Sequence, residues 1–409
     1  MTTDAMVVAT RPEDARPEDA APREIRSEVE VVTFGCRLNS VDSEVLAQAY
    51  QGHEQTVIVN TCAVTTEATR QARQAIRRLH RERPEARIVV AGCAARIDPK
   101  DFSSLGGVEQ VLTEHPPARA RIATEGTRGY LAVQNGCDHD CTFCVIPLGR
   151  GASRSAGPED VISQARNLIA SGKREIVLTG VDLTSYEAGG LTLGALVRLL
   201  LRECPDLPRL RLSSIDCVEA DADLIAAFAE EERLCPHLHL SLQSGDDLIL
   251  KRMKRRHLRA DAIGFCKMIR AVRPDIVFGA DLIVGFPTES EEMFQQSCAL
   301  LDDCGLTYIH VFPFSARPGA PAARMPQVAR GIVKQRGERL RNLADKTLAR
   351  HLDGKIGSTL RLLTEKGGTA RASDFTLALT PEIAAGRMID GRVTGHNGRA
   401  LEVALISGS

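Results

Sequence analysis

No apolar run in this 409-residue chain approaches the roughly 18 consecutive residues of a membrane-spanning helix. The opening stretch MTTDAMVVATRPED lacks a basic start followed by an apolar segment, the pattern of a secretion signal. Both absences lead to the expectation of a soluble, cytoplasmic protein with no membrane partner. Net charge is also nearly absent: 52 Lys and Arg against 53 Asp and Glu leave −1, which argues against a uniformly basic nucleic-acid binder. That balance hides segregation along the chain. Arg70, Arg73 and Arg77 recur at helical spacing, followed by Arg78, Arg81 and Arg83; LKRMKRRHLR (250–259) and the stretch from Lys334 to Arg350 are basic too. Such runs fit either solvated helix faces or local phosphate contacts.

Length predicts two or three domains. The segment RPEDARPEDA repeats Pro, Ala and charge with too little apolar surface to offset ordering entropy, so residues 1–27 are expected to be a disordered tail. From Glu28 the runs VEVVTFGC, TVIVNTC and RIVVAGC alternate with helical patterns, VDSEVLAQAY and TTEATRQARQAIRRLHRE, which implies parallel βαβ units over 28–118. A second series, YLAVQNGC, EIVLTGV, RLRLSSI, HLHLSLQ, VFGADLIVGF and YIHVFPFS, predicts a partial (β/α)6 barrel over 119–350. Beyond it STLRLLTEK, DFTLALT, MIDGRVTGH and ALEVALI, punctuated by glycine, read as a small all-β barrel over 351–409. The fold class is therefore α/β: a parallel, three-layer-like α/β domain, then the partial barrel, then the small β-barrel.

Twelve cysteines in a reducing compartment point to metal or redox chemistry ahead of disulfides. Cys36, Cys62 and Cys93 each close one of the first three strands, and parallel strands present their carboxyl ends at one sheet edge, where α/β folds place ligands. A single buried cysteine behaves as a small hydrophobe; the same placement three times over is a pattern. In GCDHDCTFC, Cys137, Cys141 and Cys144 make a CxxxCxxC without a second cysteine pair nearby. A closed zinc site needs four ligands, and His139, inside the loop, is awkwardly placed to be the fourth. Three thiolates on a 4Fe-4S cluster leave one iron without a protein ligand. Cys204, Cys217, Cys235, Cys266, Cys298 and Cys304 show no clustered spacing and are read as structural.

CxxxCxxC with Phe143 before its last cysteine resembles the signature of radical S-adenosylmethionine (SAM) enzymes, whose open iron is chelated by SAM and whose electron transfer yields a 5'-deoxyadenosyl radical. The resemblance extends over nearly the whole chain after the tail. Three amino-terminal cysteines, QNGCDHDCTFCVIPLGRGASRS, HLHLSLQSGDDLILKRMKRR, DLIVGFPTESEEMF and HVFPFSARPGAPAA are together similar to the methylthiotransferase family. The resemblance implies two 4Fe-4S clusters, one on Cys137, Cys141 and Cys144 and one on Cys36, Cys62 and Cys93, and a carboxyl-terminal TRAM barrel that binds RNA. It implies SAM contacts at Thr179, Gly180, Gln243 and Arg255, with Gln243 and Arg255 serving the ribose and carboxylate. It also implies tRNA as partner, an electron donor such as a flavodoxin or ferredoxin, and a sulfur donor. LTGVDLTSY, SSIDC and HVFPFS are similar to the branch acting on N6-threonylcarbamoyladenosine at tRNA position 37. The alternatives are the isopentenyladenosine branch, a ribosomal-protein substrate and a non-catalytic iron-sulfur RNA-binding module. The segments between Cys36 and Cys62 and between Cys93 and Cys137 are shorter than the family's usual ones. Truncation before about His351 is expected to spare both cysteine trios, because neither lies beyond it.

Overall fold

The computed structural model describes residues 29–53, 55–114, 119–124 and 126–406; the tail expected to be disordered, residues 1–27, lies outside them. The chain forms two compact units. The first contains the described residues up to 114 together with Cys144–Ala152, and the second contains the remainder.

In the first unit four parallel strands, β1 (Glu30–Thr33), β2 (Thr56–Thr61), β3 (Arg87–Gly92) and β4 (Val108–Val111), lie in the order β1-β2-β3-β4. β2 and β3 are buried along nearly their whole length, as strands covered on both faces are. β4 has no counterpart in the sequence reading: VEQV offers only two apolar residues, and two of its four residues are exposed. The helix Thr66–Glu82 begins at Thr65, whose hydroxyl accepts from the Ala68 amide, and buries Thr69, Ala72, Ile76 and Leu79 at three- and four-residue spacing. Its other face carries the arginines, of which Arg70 pairs with Glu67 and Arg73 with Asp101 at 2.6 Å.

The second unit starts with β5 (Arg121–Ala123), antiparallel to β6 (Gly129–Ala132). The run YLAVQNGC divides at Val133, leaving β7 (Gln134–Asn135) to pair with β8 (Arg154–Ser155) as a short ribbon. There follow β9 (Glu175–Thr179), β10 (Arg209–Leu212), β11 (Ser214–Ile215), β12 (His237–Gln243), β13 (Val277–Val284) and β14 (Leu306–Pro313). They form two four-stranded sheets, β10-β9-β6-β5 and β11-β12-β13-β14, with the break at Ser213 inside the run RLRLSSI. Alternation along the strands sorts their faces. Leu238, Leu240 and Leu242 of β12 and Phe278, Ala280, Leu282 and Val284 of β13 share one core with helix residues such as Leu196, Leu200 and Phe265. The intervening His237, His239 and Ser241, with Gly279, Asp281 and Ile283, therefore turn inward.

A 24-residue helix, Arg330–Asp353, leads into a closed five-stranded barrel. Its strands are β15 (Thr359–Glu365), β16 (Thr369–Ala372), β17 (Leu377–Leu379), β18 (Met388–His396) and β19 (Leu401–Leu405), in the order β15-β16-β17-β19-β18. β16, reading TARA, lacks an apolar run and was not anticipated. The barrel is seated on β10 and β12. Arg209 donates to the carbonyls of Arg361 (2.6 Å) and Arg371 (3.1 Å), and Arg211 to that of Ser373 (2.8 Å). His237 packs against Phe375, ring centroids 5.2 Å apart. Truncation before His351 would strip these acceptors from buried arginines.

Beneath the same contact, fully buried Glu175 accepts from Arg211 (2.7 Å) and lies 3.5 Å from Arg209 and 3.7 Å from Arg128. Burial pushes its carboxyl up, but Arg211, Arg128 and Arg209 together hold it below the ordinary range. Burial, with Arg211 beside it, keeps the His237 imidazole neutral well below its usual pKa. Both depressed pKa values stabilise the fold above the unfolded-state pKa and lose that contribution as pH falls. Glu175→Gln, leaving three arginines around an uncharged amide, is expected to cost about 3 kcal/mol, measured by urea unfolding at pH 7. His237→Phe should flatten the decline in stability that wild type shows as pH drops below about 6.5; an unchanged decline would mean that another group sets it.

Candidate cluster sites

At the carboxyl ends of β1, β2 and β3 the first unit gathers Cys36, Cys62 and Cys93. Cys36 caps the helix Arg37–Ala49, Cys62 directly follows β2, and Cys93 opens the helix Cys93–Ile97. The approach is close enough to demand glycine: a Cβ on Gly35, whose φ is +103°, would lie 2.8 Å from Cys62 Sγ. Gly92, at φ +94°, likewise leaves no room between β3 and the Thr61 carbonyl. Asn39 fastens two of the turns, its Nδ2 donating to the carbonyls of Phe34 (2.7 Å) and Thr61 (3.1 Å). Asn60 Nδ2 donates to the Asn39 carbonyl at 2.9 Å, and Thr61 Oγ1 links the Ala91 carbonyl (2.7 Å) to the Ala95 amide (3.0 Å).

One residue of this site escaped the sequence reading. Arg150, on the short helix Ile146–Arg150, is completely buried; its guanidinium pairs with Asp42 Oδ2 at 3.0 Å and donates to Asn39 Oδ1. Its neighbour Gly149 packs on Cys93, where an added Cβ would come within 2.9 Å of Cys93 Cβ. Burial pushes the Cys62 thiol up to about 12, with Cys36 adding to the rise. Burial also raises the Cys93 thiol, against the pull of Arg150. Thiols that resist ionisation next to one another become ligands when a cation arrives. Three sulfurs, glycine clearances and one buried cation thus fit a cluster with an open iron.

The second trio lies on the loop after β7. Gln134 organises its base: Nε2 donates to the Gly136 carbonyl (2.8 Å) and Oε1 accepts from the amides of Val181 and Asp182 (both 2.9 Å). Thr142 anchors the loop by donating from its amide to the Met253 carbonyl (3.1 Å) and from its hydroxyl to that of Arg252 (2.8 Å). Phe143 packs with Ile249, Met253 and Phe286, which explains the aromatic before the third cysteine. Cys144 begins the segment that belongs to the first unit. His139 Nε2 lies 2.8 Å from Asp182 and 3.3 Å from Glu219.

The four residues implied as SAM contacts differ in their surroundings. Thr179 ends β9, buried, with its carbonyl accepting from the Val133 amide at 3.0 Å. Gly180 faces Gln134, whose Oε1 a Cβ would approach to 2.8 Å. Gln243 ends β12 at φ +66°, a left-handed conformation that costs a non-glycine residue and clusters at functional sites. Arg255 pairs with Asp216 at 2.6 Å, donates to the Ser241 carbonyl at 2.8 Å and points Nη1 at Cys141 Sγ, 3.7 Å away, while its buried Nε has no partner among the described residues. Within its basic run Lys254 pairs with Asp140, Arg256 with Glu219 and Arg259 with Asp303. Those cations are therefore largely compensated within the protein. Cys204, Cys217, Cys266 and Cys304 lie in the core of the second unit.

Residues 131–301 match the family model of the radical SAM superfamily, and residues 28–113 match that of the uncharacterized protein family UPF0004. A threonylcarbamoyladenosine tRNA methylthiotransferase of Rickettsia prowazekii is 40% identical over 398 residues, covering 90% of this chain and 94% of its own. The Thermotoga maritima protein of the same name is 32% identical, covering 82% and 86%. A tRNA-2-methylthio-N(6)-dimethylallyladenosine synthase of Jannaschia sp. is 34% identical, covering 85% and 86%. Among solved structures, the radical SAM methyltransferase TsrM of Kitasatospora setae, with cobalamin and a [4Fe-4S] cluster bound, superposes with a TM-score of 0.52 at 15% identity over 66% of each chain. That likeness concerns the fold.

Proposed function

From the premise that this chain belongs to the radical SAM methylthiotransferase family, we propose that it replaces the C2 hydrogen of N6-threonylcarbamoyladenosine at position 37 of tRNA by a methylthio group. The observation that carries this reading is the 40% identity, over nearly the full length, to a relative named for that substrate, against 34% to one named for the dimethylallyl substrate. The chemistry agrees with the cofactors. An adenine C2–H bond is not acidic enough for a side-chain base to break at useful rates. When bound, the clusters and SAM supply radical chemistry and a site for the transferred sulfur.

We assign the SAM-binding cluster to Cys137, Cys141 and Cys144 and the second cluster to Cys36, Cys62 and Cys93. Around the first, Gln134 holds the turn Gly180–Asp182, and Arg255 places positive charge against Cys141. Bases acted on by such enzymes must be unstacked, which an anticodon-loop nucleotide approaches and a paired base does not. A flavodoxin or ferredoxin as electron donor, a separate sulfur donor and a cytoplasmic setting complete the reading; no described helix is long and apolar enough to cross a membrane.

The test is anaerobic reconstitution, reaction with tRNA carrying either modification at position 37, digestion, and mass spectrometry of the nucleosides. The 2-methylthio product is expected from the threonylcarbamoyl tRNA and little from the isopentenyl tRNA. Modification of the isopentenyl tRNA alone would reassign the branch.

A further inference from the structure

We propose that His310, held by Asp281 together with His239 on the inner face of the barrel, is the specificity-determining contact for the carboxylate of the substrate's N6 substituent. The inference rests on the threonylcarbamoyl reading and goes beyond it by naming the selecting side chain. His239, Asp281 and His310 stand on three adjacent strands, β12, β13 and β14, with Asp281 and His310 directly in register. His239 lies opposite Gly279, and a Cβ there would fall 2.6 Å from its Nδ1. Only glycine lets this ring cross β13 to reach Asp281.

His239 Nε2 lies 2.8 Å, and His310 Nδ1 3.1 Å, from the same oxygen, Asp281 Oδ1. A carboxylate only accepts, so both rings donate to it; Nε2 of His310 is then an acceptor in the neutral ring and a second donor in the imidazolium. Burial pushes the Asp281 carboxyl up, yet the two imidazoles hold it well below the ordinary range, so it is anionic. Nε2 of His310 is left pointing away from Asp281, without a partner among the described residues, on a side chain 56% exposed. Beside it the ring of Phe312, on the same inward row of β14, is 39% exposed and perpendicular to the imidazole at 6.3 Å. An exposed aromatic face offers a purine a stacking surface.

A substrate carboxylate can accept only from the imidazolium form of His310, in which Nε2 also carries a proton and gives a charge-assisted hydrogen bond. An apolar isopentenyl group would leave that donor unpaired. The three ligand atoms also lie close enough to invite a metal. Their spacings of 2.8 and 3.1 Å are those of hydrogen bonds; tetrahedral zinc ligands at about 2.0–2.1 Å from the ion stand roughly 3.4 Å apart.

The experiment uses the reconstituted holoenzyme and anticodon stem-loops carrying threonylcarbamoyladenosine or its threonyl methyl ester. Wild type should prefer the acid. His310→Leu should lower kcat/KM for the acid about 10- to 100-fold, chiefly through KM, and bring the acid-to-ester ratio close to one, while uncoupled reductive SAM cleavage is unchanged. His310→Lys, which restores a cation, should recover part of the ratio. An equal loss on acid and ester would show a structural role and overturn the assignment. So would one equivalent of zinc that is present in wild type and lost in His310→Leu. If wild type modifies neither stem-loop, the threonylcarbamoyl reading itself fails; if it modifies the acid and His310→Leu keeps the wild-type ratio, only this inference does.

Discussion

Replacing Cys137, Cys141 and Cys144 by alanine is expected to remove about half of the bound iron, from roughly eight to roughly four per chain for two cubane clusters, and to abolish reductive SAM cleavage. Replacing Cys36, Cys62 and Cys93 should also halve the iron yet leave that cleavage in place. The asymmetry follows from what each site contains. The trio Cys137, Cys141 and Cys144 has Arg255 beside Cys141 and the Gln134-locked turn after β9, features suited to a bound zwitterion. The trio Cys36, Cys62 and Cys93 has instead a fully buried guanidinium, that of Arg150. Iron analysis and chromatography of 5'-deoxyadenosine after dithionite reduction read the two effects separately. Undiminished iron in the second variant would remove the amino-terminal cluster from the scheme.

The parts legible in the sequence are those whose signal is local. Three strand-end cysteines at one sheet edge follow from β-branched runs alternating with helical patterns, and the CxxxCxxC loop is contiguous. Of the strands that escaped notice, which include β5 and β8, β4 and β16 are short and carry little apolar character, one at a sheet edge and the other within a small barrel. The partners of the charge runs were hidden for a different reason. In LKRMKRR three of the five cations, Lys254, Arg255 and Arg256, pair with Asp140, Asp216 and Glu219, each more than 30 residues away along the chain. His239, Asp281 and His310 sit 42 and 29 residues apart, and only strand register puts their polar atoms on one oxygen. Residues whose role depends on such register carry no mark in a linear pattern.

Arg150 is the clearest case, and its replacement is the second large effect expected. The residue stands between two glycines just after Cys144, inside a stretch quoted for its cysteines, yet its side chain is committed to Asn39 and Asp42 of the first unit. Arg150→Met leaves the buried Asp42 carboxylate and Asn39 Oδ1 without their cation, a change that typically costs 3–5 kcal/mol. Asn39 in turn ties the Phe34 and Thr61 carbonyls, which precede Cys36 and Cys62. Loss of the guanidinium is thus transmitted through Asn39 to two of the three sulfurs. The variant is expected to purify with iron near four per chain in place of eight, with SAM cleavage retained and a lower urea midpoint. Arg150→Lys should restore only part of the iron, since an ammonium cannot reproduce the forked donation to Asn39 and Asp42. The paired change Arg150→Met with Asp42→Leu separates packing from charge. Removing both members of a buried ion pair is often neutral for stability, so the urea midpoint should return towards wild type while the iron stays low, because the cation beside Cys93 is still missing. Full iron in the paired variant would limit Arg150 to neutralising Asp42, and full iron with an unchanged midpoint in Arg150→Met would show that the site does not depend on the guanidinium at all.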